Sequence, residues 1–406
     1  MPLFKKSLRA SPKGTKGPKG PKKHDTGLRP GHRFEGEVRD LSSDGQGVVA
    51  HPDGRVFFVP GVWRDERGLF EVTSLKGRMG FARVISLSEE SAQRRTPPCP
   101  HHGFSNDSCG GCPWLFMDYQ EQLQSKQQQL LRMLQPLNTA LAISPVWASP
   151  EELGYRNRAQ LKSDGKRLGY VAGNSRDIAQ ISDCLVLNTK NRKTLADLRA
   201  QLPNPSWKPG RGKHWTTLDI DDDINASQVA VNDRRPFRQG NSAQNQRMRE
   251  WLLSQLHNMS ARSPVVELFA GSGNFTEVLV DAGCESVCAV DSFRQAIDGL
   301  QARLLPGVTG ICSNLERDGS ASDIEAQLST AKLLLLDPPR EGLKNIGDYL
   351  TLAPQLRTII YISCNLATLS RDLQTAMQHK FQLQEVQPLD LFPQTPQIEV
   401  LTVLSR

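Results

Sequence analysis

No stretch of the chain approaches eighteen consecutive apolar residues, so no membrane-spanning helix and no membrane partner are expected. The N-terminal segment is basic but lacks the apolar centre of a secretory signal, which points to a reducing, cytoplasmic setting. Eight cysteines in such a setting are not a disulfide framework. No internal repeat is visible. At 406 residues the chain exceeds one comfortable core, so two or three domains are expected. Net charge is also missing from most of the molecule. The formal +7 is carried by residues 1–29, where nine Lys and Arg stand against Asp25 alone; the other 377 residues hold 41 basic and 42 acidic side chains. This tail, rich in Gly and Pro with almost nothing to bury, reads as disordered. It is either an arm that binds nucleic-acid phosphates by releasing counterions or a solvated extension.

Beyond the tail, three textures follow one another. Residues 30–90 read as short strands with turn punctuation. Arg33-Phe34-Glu35-Gly36-Glu37-Val38 alternates, His51-Pro52-Asp53-Gly54 turns between two apolar runs, and 68–73 and 80–87 complete about five strands. A small OB-like β-barrel is predicted, either an oligonucleotide binder or a structural module. Residues 91–235 form a central α+β region. It carries the clustered Cys99, Cys109 and Cys112, a helix over 120–137 built on Leu123, Leu130, Leu131 and Leu134, and β structure over 155–187 with a hairpin at Asp164-Gly165. Residues 219–223 read as an acidic loop. From 236 to 406 the apolar runs 265–269, 286–290, 333–336 and 358–362 alternate with helices, and 398–404 closes the pattern. That is a doubly wound α/β domain with buried parallel strands.

The chemistry sits at the ends of those runs. Gly271-Ser272-Gly273 is a tight turn that lets backbone approach a nucleotide-like ligand, but Thr276 stands where a dinucleotide fingerprint places its third glycine. Asp291 ends the next run, where an acid can accept from ribose hydroxyls. Together they resemble the S-adenosylmethionine site of class I methyltransferases. Asp337-Pro338-Pro339-Arg340 lacks the aromatic that amino-methyltransferases commonly carry there, and no cysteine stands near it as enzymes with a Pro-Cys nucleophile would require. Cys364, at the end of a strand and opening a helix near Thr368, is placed for a nucleophile whose thiolate the helix N-terminus favours; a buried inert cysteine is the alternative. Glu399 precedes the last strand and can act as a base raised by desolvation, or be an ordinary strand-edge acid. The cysteine cluster lacks the Cys-x3-Cys-x2-Cys pattern of radical enzymes. Its spacing suits zinc or an iron–sulfur cluster equally.

Taken together, Phe57-Phe58-Val59-Pro60, the clustered cysteines, Gly154-Tyr155-Arg156-Asn157-Arg158, Asn174-Ser175-Arg176, Phe237-x-Gln239-x-Asn241, Asp337-Pro-Pro-Arg340, Ser363-Cys364-Asn365 and Phe392-Pro-x-Thr395 resemble the RNA uracil-5-methyltransferases. Within that family they are similar to the larger subfamily with an N-terminal TRAM barrel and an iron–sulfur cluster. The resemblance covers the chain from about Pro30 onward. It implies a class I, Rossmann-like domain behind an OB-like TRAM barrel and a central RNA-binding domain. It implies Cys364 as nucleophile and Glu399 as base. Gln239, Phe269, Asn274, Asp291, Asn314 and Asp337 would bind S-adenosylmethionine, and Cys99, Cys109, Cys112 and Cys184 would hold a [4Fe–4S] cluster, with zinc the alternative. The implied partner is RNA, 23S ribosomal RNA before transfer RNA, acted on by a monomer; a catalytically silent RNA-binding module on the same scaffold is the other class of function. Three positions depart from the family pattern. The first cysteine gap is Cys-x9-Cys with His101 and His102 inside it, the cofactor acid is Asp291 rather than Glu, and Gln397 stands where His is often seen.

Overall fold

Alternating apolar residues curl the first five strands into a closed barrel in the computed structural model, which describes residues 28–406 apart from 138–141, 174 and 234. The expected disorder of the basic tail therefore falls, like Asn174, outside the described residues. The strands are β1 (Arg33–Leu41), β2 (Gly47–Ala50), β3 (Val56–Val59), β4 (Arg67–Lys76) and β5 (Met79–Glu89), in the order β1-β2-β3-β5-β4. Every second residue points inward. Phe34, Val38, Val49, Phe57, Val59, Phe70 and Val72 fill the interior. Leu41 and Trp63 then join Trp114, Phe116 and Met117 to fasten the barrel to the next segment.

Asp118 caps α1 (Tyr119–Leu134) by accepting from the Gln120 amide. Leu123, Leu130 and Leu134 are buried, whereas Leu131, expected with them, is exposed. One residue past Leu130 lies about 100° round the helix, off the apolar stripe. A four-stranded sheet follows in the order β8-β7-β6-β9, from β6 (Arg158–Ser163), β7 (Leu168–Val171), β8 (Ile178–Gln180) and β9 (Thr216–Asp221), with α2 (Thr189–Arg199) packed on it. The acidic loop expected at 219–223 is in part a strand. Asp219 and Asp221 belong to β9 and are buried, because Arg158 grips Asp219 and Arg238 pairs with Asp221.

The remaining strands are β10 (Val265–Leu268), β11 (Val287–Asp291), β12 (Val308–Cys312), β13 (Leu333–Leu336), β14 (Thr358–Ser363), β15 (Gln382–Leu389) and β16 (Glu399–Ser405). They form one sheet in the order β12-β11-β10-β13-β14-β16-β15. The first five are parallel; β16 runs antiparallel to both β14 and β15. The helices are α3 (Ser242–His257), α4 (Thr276–Asp281), α5 (Arg294–Ala302), α6 (Glu325–Thr330), α7 (Ile346–Thr351) and α8 (Leu366–Gln378). Odd and even residues of β10 and β13 enter different cores, one containing Val266, Leu268, Leu334 and Leu336, the other Val265, Leu333 and Leu335. This is why these strands read as apolar on both faces, with Glu267 of β10 as the exception. The sheet and barrel are the class I methyltransferase fold with its N-terminal five-stranded, TRAM-like barrel. Among the described residues no helix is long and apolar enough to cross a membrane.

Candidate active site

Strand register brings the expected residues to one edge. Leu268 pairs with Val290 and with Leu336, and Leu336 pairs with Tyr361. Phe269, Asp291 and Asp337 therefore stand side by side at the carboxyl ends of the strands, where ligands bind in open α/β sheets. On the antiparallel flank Ser363 pairs with Val400. The next step of that register sets Cys364 against Glu399.

The glycine turn is built as its sequence requires. Gly271 and Gly273 have φ of 55° and 93°, and a Cβ on Gly273 would meet Leu300 at 2.5 Å. Phe269 also adopts a positive φ, 63°. The Asp291 carboxylate accepts from the Gly271 amide at 2.9 Å and the Phe293 amide at 2.8 Å, so it fixes the turn while remaining half-buried. Asn274 exchanges amide hydrogen bonds with Asn245 of α3 at 3.0 and 2.9 Å. Gln239 is buried, its carbonyl accepting from Asn157 Nδ2 at 2.9 Å. Asn314 follows β12 and is exposed, its Oδ1 accepting from the Glu316 amide. Two residues were not anticipated. Asn245 gave no signal beyond lying one helical turn past Asn241. Glu267 gives no sequence signal beyond being an acid inside an apolar run. Thr276 donates to Glu267 at 2.6 Å, which explains a threonine at the third-glycine position; burial pushes the Glu267 carboxyl up to about 8.

Around Cys364 the electrostatics differ from the expectation. The helix begins at Leu366, and Asn365 caps it by accepting from the Ala367 and Thr368 amides at 3.0 and 3.5 Å. These first-turn donors are thus occupied. Burial, then Glu399 and Asp337, push the Cys364 thiol up to about 12, with Arg340 opposing them. The helix N-terminus does not make a thiolate here. Burial also raises Asp337 to about 7, and burial and Asp337 hold Glu399 well above the usual carboxylate range. Cys364, Asn365, Arg340, Gln397 and Ile398 line an open crevice together with Asp40 and Asp44 of the barrel and Gln129 and Arg132 of α1. A second groove of about 1780 Å³ carries Arg156, Arg158, Lys162, Arg235 and Arg238 past Cys112 to Phe392, with Phe237 largely exposed beside it.

Cys99, Cys109, Cys112 and Cys184 line one cavity of about 390 Å³ with Leu115, Tyr170, Ile181 and Val186. The long first gap folds back on itself. The His102 amide donates to Cys99 O, and the Cys109 amide to His101 O, so Cys99 and Cys109 face the same space. His101 is engaged with Ser182 through Nε2. Burial, and then the neighbouring cysteines, raise the Cys112 thiol; burial also raises Cys109 and Cys184. Among the described residues no group of three or more His, Cys, Asp or Glu is placed to hold a single metal ion. Cys284 and Cys288 are buried in the sheet region, away from both sites.

Residues 319–406 match the family model described as tRNA (Uracil-5-)-methyltransferase. The chain is 42% identical over 380 residues to an uncharacterized RNA methyltransferase of Nitrosomonas europaea, spanning 92% of this chain and 97% of the relative. The chain belongs to the RNA uracil-5-methyltransferase family. Within that family it is also 29% identical to the 23S rRNA (uracil(1939)-C(5))-methyltransferase of Vibrio cholerae, over 95% of this chain and 98% of that one. The fold is shared with the tRNA (uracil-54, C5)-methyltransferase of Pyrococcus abyssi solved with S-adenosyl-L-homocysteine, at a TM-score of 0.66 and 18% identity, covering 91% of this chain and all of the other. Family members use S-adenosylmethionine to methylate uracil C5 in RNA.

Proposed function

We propose that the protein methylates C5 of a uracil in 23S ribosomal RNA, working as a monomer, with Cys364 as nucleophile and Glu399 as base. One observation carries this reading. A thiol and a carboxylate from different strands oppose each other at the edge of the sheet, beside Asp337 and the Gly271–Gly273 turn. Uracil C5 is too weak a nucleophile to attack a methyl donor directly. The Cys364 sulfur adds to C6, the C5=C6 π electrons move onto C5 and O4 as an enolate, and C5 then takes the methyl group. S-adenosylmethionine supplies that methyl when bound. Gln239, Phe269, Asn274, Asp291, Asn314 and Asp337 would hold it. Glu399 removes the C5 proton; the electron pair of that C–H bond forms C5=C6 again as the C6–S bond breaks and its pair returns to sulfur. A carboxyl whose affinity for protons is raised by burial suits this last step.

The thiol begins protonated, so as the sulfur adds to C6 the S–H bond breaks and its proton passes to solvent in the open crevice. Arg340 is the cation beside it. A uracil in folded RNA must leave its stack to reach the crevice, and the basic groove with exposed Phe237 supports binding of an unstacked segment. Cys99, Cys109, Cys112 and Cys184 fit a [4Fe–4S] cluster: an all-thiol donor set around one apolar cavity, with Cys109, Cys112 and Cys184 costly to ionise without a cationic partner. A bound cluster would cross-link the 99–112 loop to Cys184 and stiffen the groove wall. The ribosomal substrate is supported by the barrel-plus-cysteine layout and by the near end-to-end match to the Vibrio relative. Mapping 5-methyluridine in ribosomal and transfer RNA from cells with and without the gene tests it; loss from transfer RNA alone would reassign the substrate.

A further inference from the structure

The segment that delivers Glu399 leaves the sheet after Leu389 and returns at Glu399, its ends closed by the Leu389–Glu399 pair. Surface connections of this kind normally give their carbonyls to water. Here five carbonyls in a row are taken by protein. Asp390 O accepts from Gln244 Nε2 at 2.8 Å, Leu391 O from Asn241 Nδ2 at 3.3 Å, and Phe392 O from Lys126 Nζ at 3.3 Å. Pro393 O accepts from the Tyr155 hydroxyl at 3.1 Å and Gln394 O from the Trp114 amide at 3.0 Å. The donors come from four separate parts of the chain.

Two further features hold the same strap. Lys126 and Asp390 form a fully buried ion pair at 2.6 Å. Gln394, at φ 68°, exchanges hydrogen bonds with Gln122 (2.9 and 3.0 Å) and accepts from Arg95 at 2.9 Å. Neither is the stable choice. Apolar residues often replace a buried ion pair without loss, and glycine adopts that φ more readily than glutamine. The strap leads directly into Pro396, Gln397 and Ile398, which line the Cys364 crevice.

We infer that residues 390–394 are a positioning strap for Glu399, fixing its carboxylate against C5 of the covalent adduct and thereby setting the rate of product release rather than of adduct formation. This rests on the reading of Cys364 as nucleophile and Glu399 as base. A displaced strap leaves the Cys364–C6 bond free to form and the methyl free to transfer. It slows only the step in which the C5 proton passes to Glu399 and the C6–S bond breaks.

Gln394→Gly keeps the left-handed backbone and removes the side-chain clamp; Tyr155→Phe removes one hydroxyl and is the variant that folds should the first not. Each is incubated with total RNA from a strain lacking the gene plus S-adenosylmethionine, and RNA–protein adduct stable on a denaturing gel is measured beside 5-methyluridine by mass spectrometry. The expected result is initial adduct formation within about twofold of the parent and slower resolution, by about tenfold for Gln394→Gly and about threefold for Tyr155→Phe, as loss of one to two buried hydrogen bonds allows. Resolution at the parent rate in both variants, or adduct formation and resolution falling together, overturns the strap. Glu399→Gln is the benchmark. If it traps adduct and the strap variants do not, only the strap fails; if it traps none, the assignment of the base fails.

Discussion

The molecule holds reactive sulfur in two places that could hardly be more different. Four cysteines share an apolar cavity, where burial raises the proton affinity of Cys109, Cys112 and Cys184 and neighbouring cysteines add to it at Cys109 and Cys112. Cys364 stands alone at a strand end, aligned by register against a carboxylate, its affinity raised by burial and then by Glu399 and Asp337. One set of thiols asks for cations to bind; the other asks for a proton acceptor and an electrophile. Burial alone does not distinguish a ligand from a nucleophile. The neighbours do.

Breaking the nucleophile should have the largest effect. Cys364→Ala is expected to lower 5-methyluridine formation by at least about 10³-fold while leaving binding of S-adenosylmethionine unchanged; methylation by this variant, read by mass spectrometry, would end the covalent mechanism. Breaking the other set should remove a metal instead. Cys112→Ser is expected to abolish bound iron and sulfide, about four of each per chain in the parent, and to lower the melting temperature; zinc in the parent protein would reassign the site.

The thiol sites also sharpen through pH. Alkylation of Cys364 by iodoacetamide, followed by peptide mapping, should be slow at pH 7 and climb about tenfold per pH unit until the pH nears its value of about 12. A plateau below pH 9 would restore the thiolate reading. Nearby, the Glu267 carboxyl is raised from 4.5 to about 8, so between those values the folded state binds more protons than the unfolded state. Stability therefore falls as pH rises through that window, and Glu267→Gln should remove roughly 1–3 kcal/mol of that fall in chemical denaturation. The smallest effect is reserved for the basic tail. Removing residues 1–29 should weaken RNA binding modestly and flatten its dependence on salt, with cofactor binding intact.

Local patterning made much of this readable in the sequence. Alternation in Arg33–Val38 and the His51–Gly54 turn announced the barrel, and largely apolar runs announced β10, β13 and β14 because both of their faces are buried. β12 and β15 stayed hidden: the first, Val-Thr-Gly-Ile-Cys, is a half-buried edge, and the second is interrupted by glutamines. Cys364 and Asp337 were visible as residues ending strands. That Glu399 faces Cys364 depends on an antiparallel register no local motif encodes. The thiol's state is not local either: burial, and then Glu399 and Asp337 brought beside it by the sheet, raise it. The strap was unreadable because its donors, Trp114, Lys126, Tyr155, Asn241 and Gln244, are scattered over the sequence.

The sheet order carries one more implication, for assembly. β16 follows β15 in the chain yet slots between β14 and β15, so β15 has no neighbour until β16 is in place. A chain without β16 in place would keep its glycine turn, its parallel strands and Cys364 but lack Glu399. If the two residues act as proposed, such a form would bond to RNA and stay bonded to it.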